Sequence, residues 1–182
     1  SLGGYLAPRA AAFDRRISRV VAWSVFPCFF DVVMGGQSPA VQKLFDTLVN
    51  VGAKDVINGV FNKMAKTEPV VDWGLKHGCY AYEAEDAYGY AKKLKLYDIA
   101  PVADKVTQDV LILGANHDHF INYHLIGHEI DLFTNVKSLT FRLFTDKEGA
   151  QNHCNVGNGK LALDTIDNWL TGLAKRDSEQ DN

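Results

Sequence analysis

Short apolar strands alternating with helical patterns restrict the fold of this chain more than any other feature of its sequence. RVVAWSVF (Arg19 to Phe26) and DVLILG (Asp109 to Gly114) are nearly continuous apolar runs rich in β-branched residues. Strands of that composition are buried on both faces, as in a parallel sheet covered by helices. SLTFRLF (Ser138 to Phe144) reads as a further strand. Parallel neighbours need helical crossovers, so the expectation is an α/β fold whose functional groups gather beyond the C-terminal ends of the strands.

The helices follow from spacing. Leu2, Leu6, Ala10 and Phe13 predict a helix over residues 2–14. Phe120 to Phe133 is read as another, and Leu161, Leu163, Ile166, Trp169, Leu170 and Leu173 make Gly157 to Leu173 amphipathic. Between residues 31 and 100 the strand pattern disappears. Ser38-Pro39 is a cap followed by a first-turn proline, Leu44, Leu48 and Val51 recur at helical spacing, and Gly52 ends the pattern. Val56, Val60, Phe61 and Met64 predict the apolar face of the next helix, and a tyrosine-rich stretch (Tyr80, Tyr82, Tyr88, Tyr90) follows. Residues 31–100 are therefore expected to form a helical insertion, with 1–30 and 101–182 as the α/β core.

Composition removes several classes. With 47% hydrophobic and 23% charged residues in 182, the chain is that of a folded domain rather than a disordered tail. No run of about 18 apolar residues is present, so no membrane span is expected. The net charge of -3 and the lack of interleaved basic and aromatic clusters argue against nucleic acid as a partner. Cys28, Cys79 and Cys154 lie far apart without CxxC spacing, which fits a reducing compartment such as the cytoplasm. His124 and His128 are four apart on a predicted helix, but no HExxH-type pattern accompanies them, so neither a metal nor another cofactor is expected.

The strand-end loops carry the chemistry. GANHDHF follows the DVLIL run and holds Asp118; TDKEGAQNHC follows Phe144 and holds His153; the chain begins at Ser1, in SLG, before a run of small residues. Serine, acid and histidine in that order are the order of an α/β-hydrolase triad, with S-x-G the second half of a G-x-S-x-G nucleophile turn. His117 and His119, which flank the acid, are read as solvated or supporting groups, and Cys154 as a packing residue.

The succession of helix, strand, helical insertion, strand with GxxHD, helix, strand with EGAxxHC, and helix resembles α/β-hydrolases of the 2,6-dihydropseudooxynicotine hydrolase type and their fungal relatives that shorten polyketides in pigment pathways. The resemblance covers the C-terminal half of such a catalytic domain, so the chain is read as a fragment beginning at its nucleophile, its helical insertion as a cap, and its sheet as partial. It implies Ser1 as nucleophile, Asp118 as the acid that orients the histidine, His153 as general base, and the Leu2 N–H as one oxyanion donor. Two departures are visible: Gln108-Asp109 stands where relatives often have Cys-Pro, and the spacing from Gly114 to Asp118 is one residue longer than the commonest form.

The implied activity is a serine hydrolase working through an acyl-enzyme on a carbon-carbon or ester bond of an acylated aromatic or polyketide-type substrate. An esterase, a lactonase, an aminopeptidase, a non-catalytic binding protein and a fragment without activity of its own remain open alternatives. An N-terminal nucleophile hydrolase, with the Ser1 amine as base, conflicts with the parallel α/β rhythm. Trp23, Phe26, Phe29, Trp73 and Tyr80 are the candidate substrate contacts. The expected partners are a small aromatic molecule and, through an open sheet edge, a second copy of the chain.

Overall fold

The computed structural model describes residues 1–180. Along the chain the elements are α1 (Leu2–Phe13), β1 (Arg19–Trp23), α2 (Phe29–Met34), α3 (Pro39–Asn50), α4 (Lys54–Ala65), α5 (Pro69–Ala81), α6 (Ala87–Leu94), β2 (Asp109–Ala115), α7 (Leu125–Leu132), β3 (Ser138–Phe144) and α8 (Gly159–Gln180). They fall into two compact units, Ser1–Pro27 with the chain from Ile99 onward, and Cys28–Asp98.

The first unit is built on a parallel sheet in the order β1-β2-β3, with Arg19 opposite Asp109 and Asp109 opposite Ser138. Every residue of β2 is buried, as its unbroken apolar run requires. On one face Leu111, Leu113 and Phe144 pack with Val21, Trp23, Ala162, Ile166 and Trp169, so α8 covers that face through its apolar stripe. At the start of β2 the buried Asp109 takes two hydrogen bonds from the Arg176 guanidinium (2.9 and 2.8 Å) and one from Ser138 Oγ (2.6 Å). Those bonds, the Arg176 pair foremost, outweigh burial and hold the Asp109 carboxyl below its ordinary value. They also fasten the last turns of α8, which runs on past the predicted end at Leu173.

Helix α1 forms over the expected residues, but the larger apolar side chains at helical spacing are not the ones that pack inward. Leu6 and Phe13 are exposed, whereas Gly4, Tyr5, Pro8, Ala11 and Ala12 face inward. The small residues are there because α1 lies close against β1: a Cβ on Gly4 would stand 2.5 Å from the Trp23 carbonyl oxygen. Strand β1 stops at Trp23, short of the predicted Phe26, because Ser24 turns the chain with a φ of 53°. Helix α7 starts at Leu125 rather than Phe120, since residues 118–121 are committed to a turn around the Asp118 carboxylate.

The second unit is helical. Phe30, Met34, Val49, Ile57, Ala87, Ala91 and Leu94 form its core, flanked by Phe45, Leu48, Phe61 and Tyr90. Ser38 caps α3 by accepting from the Val41 N–H, Asp86 caps α6 by accepting from the Gly89 N–H (2.8 Å), and Gly52 takes the left-handed conformation (φ 79°) after α3. In α4 the buried position is Ile57, and the predicted Val56 and Val60 are exposed. Among the described residues no helix is long and apolar enough to cross a membrane.

Candidate active site

Two loops at the C-terminal end of the sheet bring an acid and a histidine together. After β2, the Asn116 N–H donates to the Phe144 carbonyl and the His117 N–H to the Gln151 carbonyl (both 3.0 Å), pinning the first loop to the second. Asp118 Oδ1 then accepts from the Phe120 and Ile121 N–H groups (both 2.9 Å), a turn that Asp supports with its own side chain. The second loop starts with a capping box between Thr145 and Glu148, the latter also paired with Arg142, and turns through Gly149 in the left-handed region. It delivers His153, whose Nδ1 lies 2.8 Å from Asp118 Oδ2 and 3.1 Å from Oδ1.

Burial opposes the charge on Asp118, but the bonds from His153, Ile121 and Phe120 outweigh it and hold the carboxyl below its ordinary value. An ionised Asp118 accepts from Nδ1–H, which leaves Nε2 of His153 as the nitrogen free to take a proton. The Phe120 ring stands nearly perpendicular to the His153 imidazole, with centroids 5.1 Å apart, and the His119 ring lies tilted against Phe120, 4.2 Å between centroids. Nothing in the periodicity of the sequence singled out Phe120. Its role follows from the turn around Asp118, which only the hydrogen bonds reveal.

Ser1 lies at the end of β1. Its nitrogen donates to the Trp23 and Ser24 carbonyls (2.7 and 2.9 Å) and stands 3.6 Å from Cys154 Sγ, beside the residue that follows His153. The structure therefore joins Asp118 to His153 and sets Ser1 next to Cys154; among the described residues no hydrogen bond runs from the Ser1 hydroxyl to His153. Leu2 opens α1, where first-turn N–H groups have no acceptor within the helix.

The remaining candidates are divided between the two units. Trp23 is half-buried and donates its indole N–H to Asn155 Oδ1 (2.8 Å). Phe26 is sealed in the core, stacked on Tyr5 with centroids 5.9 Å apart, so it has no face open to a substrate. In the helical unit, Phe29 is partly buried beside the Tyr82 and Tyr97 rings, Trp73 stacks on His77 while 64% exposed, and Tyr80 is 85% exposed. Among the described residues no group of three or more His, Cys, Asp or Glu side chains gathers into a metal-ligating set.

No family model and no curated protein matches the chain. Among solved structures it is similar to an esterase from Pyrococcus furiosus (TM-score 0.54, 10% identity, covering 97% of this chain and 51% of that one). It is also similar to an enol-lactonase from Burkholderia xenovorans (TM-score 0.50, 18% identity, 94% of this chain and 63% of that one). A third is DcsB, solved with a substrate analogue (TM-score 0.55, 16% identity, 94% of this chain and 62% of that one). The chain thus spans between half and two thirds of the length of these structures. The shared architecture is the α/β-hydrolase fold, of which this sheet and its helices are a part.

Proposed function

We propose that the protein is a serine hydrolase in which Ser1, His153 and Asp118 act as nucleophile, general base and orienting acid. The observation that carries this reading is the bond from His153 Nδ1 to an ionised Asp118 on adjacent strand-end loops of an α/β-hydrolase fold. In the proposed reaction His153 Nε2 takes the Ser1 hydroxyl proton as Oγ attacks the substrate carbonyl. The oxyanion is held by backbone N–H groups, that of Leu2 among them, and Asp118 stabilises the imidazolium. The intermediate collapses as His153 protonates the leaving group. Water, deprotonated by His153, then attacks the acyl-enzyme, and the acid product is released as the proton returns to Ser1.

The substrate we propose is an acylated aromatic or polyketide-type compound, cleaved at an ester or a carbon-carbon bond. An exposed Phe120 ring against the imidazole favours a planar aromatic group beside the reacting carbonyl. In carbon-carbon cleavage the leaving group is a stabilised carbanion, which His153 protonates. That two of the similar structures are named an esterase and an enol-lactonase supports hydrolysis of acyl groups.

Mass spectrometry of the protein incubated with an acylated naphthopyrone and, separately, with a naphthyl ester tests the reading. Hydrolysis of either, abolished by His153→Ala, supports it, and a shortened naphthopyrone assigns the carbon-carbon reaction. Rapid ester turnover with an unchanged naphthopyrone assigns the esterase. No turnover of either by the wild type contradicts the proposal.

A further inference from the structure

Four non-glycine residues among those described have a positive φ, and three of them meet at one point: Ser24 (53°), Cys154 (51°) and Asn155 (55°). Asn tolerates this region, but Ser and Cys do so at a cost of about 1 kcal/mol or more each. Such conformations persist only where the surroundings over-determine them, and here the hydrogen bonds are identifiable.

Ser24 is 3% exposed and bonded on every side. Its N–H donates to the Leu113 carbonyl (2.9 Å), which fixes it to the end of β2. Its carbonyl accepts from the Ser1 nitrogen (2.9 Å). Its hydroxyl accepts from the Cys154 N–H (3.0 Å), in the peptide unit that directly follows His153. One residue farther on, the buried Asn155 accepts from the Trp23 indole N–H and donates to the Ala150 carbonyl (2.7 Å). The end of β1 therefore grips the histidine loop at two successive residues, 154 and 155.

We propose that Ser24 is a positioning residue that fixes the backbone carrying His153, by accepting from the Cys154 N–H through its hydroxyl while its own N–H ties it to the end of β2. The inference rests on the reading of Ser1 and His153 as nucleophile and base. Asp118 fixes the rotation of the imidazole; Ser24 fixes where the backbone that carries it stands relative to the ends of β1 and β2. The left-handed turn follows from this geometry, because an extended Ser24 would continue β1 and carry its hydroxyl away from residue 154. A loss of about an ångström in such an alignment can cost about 100-fold in rate.

The experiment uses two variants that separate the strain from the bond. Ser24→Gly removes the hydroxyl and relieves the φ, so the fold is retained; Ser24→Ala removes the hydroxyl and keeps the φ penalty. For hydrolysis of a naphthyl ester we expect kcat to fall roughly 10-fold to 100-fold in both, with KM changed less than about 2-fold. Thermal unfolding should show Ser24→Gly the more stable of the two variants. If the wild type turns over the ester in a His153-dependent way and Ser24→Gly keeps full kcat, the positioning role is overturned while the hydrolase reading stands. If the wild type shows no His153-dependent turnover, both fail together.

Discussion

His153 Nδ1 and Asp118 Oδ2 stand 2.8 Å apart although 35 positions, including α7 and β3, separate the two residues. The carboxylate is held from behind by two N–H groups of its own loop, so it is aimed before the imidazole arrives. Asp118→Asn keeps the size of the side chain but exchanges a pure acceptor for a group that also donates. We expect kcat to fall roughly 1,000-fold to 10,000-fold with little change in KM, measured by steady-state ester hydrolysis.

The same residue shapes acid stability. The Asp118 carboxyl lies below its ordinary value when folded, so its contribution is complete above the unfolded value of about 3.9 and is lost as pH falls through the lowered one. Thermal unfolding from pH 6 down to pH 2 should show a smaller acid-side loss in Asp118→Asn than in the wild type. Parallel profiles would contradict this.

A buried carboxyl gives the opposite sign. Glu129 on α7 is fully buried, neither of its oxygens has a hydrogen-bond partner, and burial pushes its pKa up to about 8. Folding therefore favours the protonated acid, and stability falls as pH rises from about 4.3 through 8. Glu129→Gln, which cannot ionise, should match the wild type near pH 5 and exceed its Tm near pH 8.5. A wild type that gains stability relative to the variant over that interval would contradict the assignment.

How much of this was legible depended on the kind of signal. The buried strands were, because continuous apolar runs admit few alternatives, and so were Asp118 and His153 as loop residues at strand ends. The buried face of α1 was not: apolar spacing pointed to Leu6 and Phe13, but close approach to a sheet selects small residues, and Gly4 carries that information without hydrophobicity. The start of α7 was hidden for a related reason, since a carboxylate turn at Asp118 displaced a pattern that reads as helix from Phe120. Ser24 and Asn155 left no trace in periodicity, because their role lies in hydrogen bonds to Cys154 and Trp23, 130 and 132 positions away. Phe26 was an apolar residue near a strand end, and only its stack on Tyr5 shows that it belongs to the core.

The contact that Gly4 makes possible can be tested directly. A Cβ at this position meets the Trp23 carbonyl at 2.5 Å, and backbone at a strand end cannot yield as a flexible side chain would. Gly4→Ala should cost about 1–3 kcal/mol in urea unfolding, despite the higher helix propensity of alanine. An unchanged or increased midpoint would contradict the close packing of α1 on β1.

The central claim is that Ser1 is a nucleophile activated by His153. Incubation with a fluorophosphonate probe, followed by peptide mass spectrometry, reads this without assuming a substrate, because the probe phosphonylates only a serine made reactive by its base. We expect one adduct, on Ser1, absent in Ser1→Ala and reduced at least about 100-fold in rate in His153→Ala. An adduct on another residue, or none on the wild-type protein, would contradict the account.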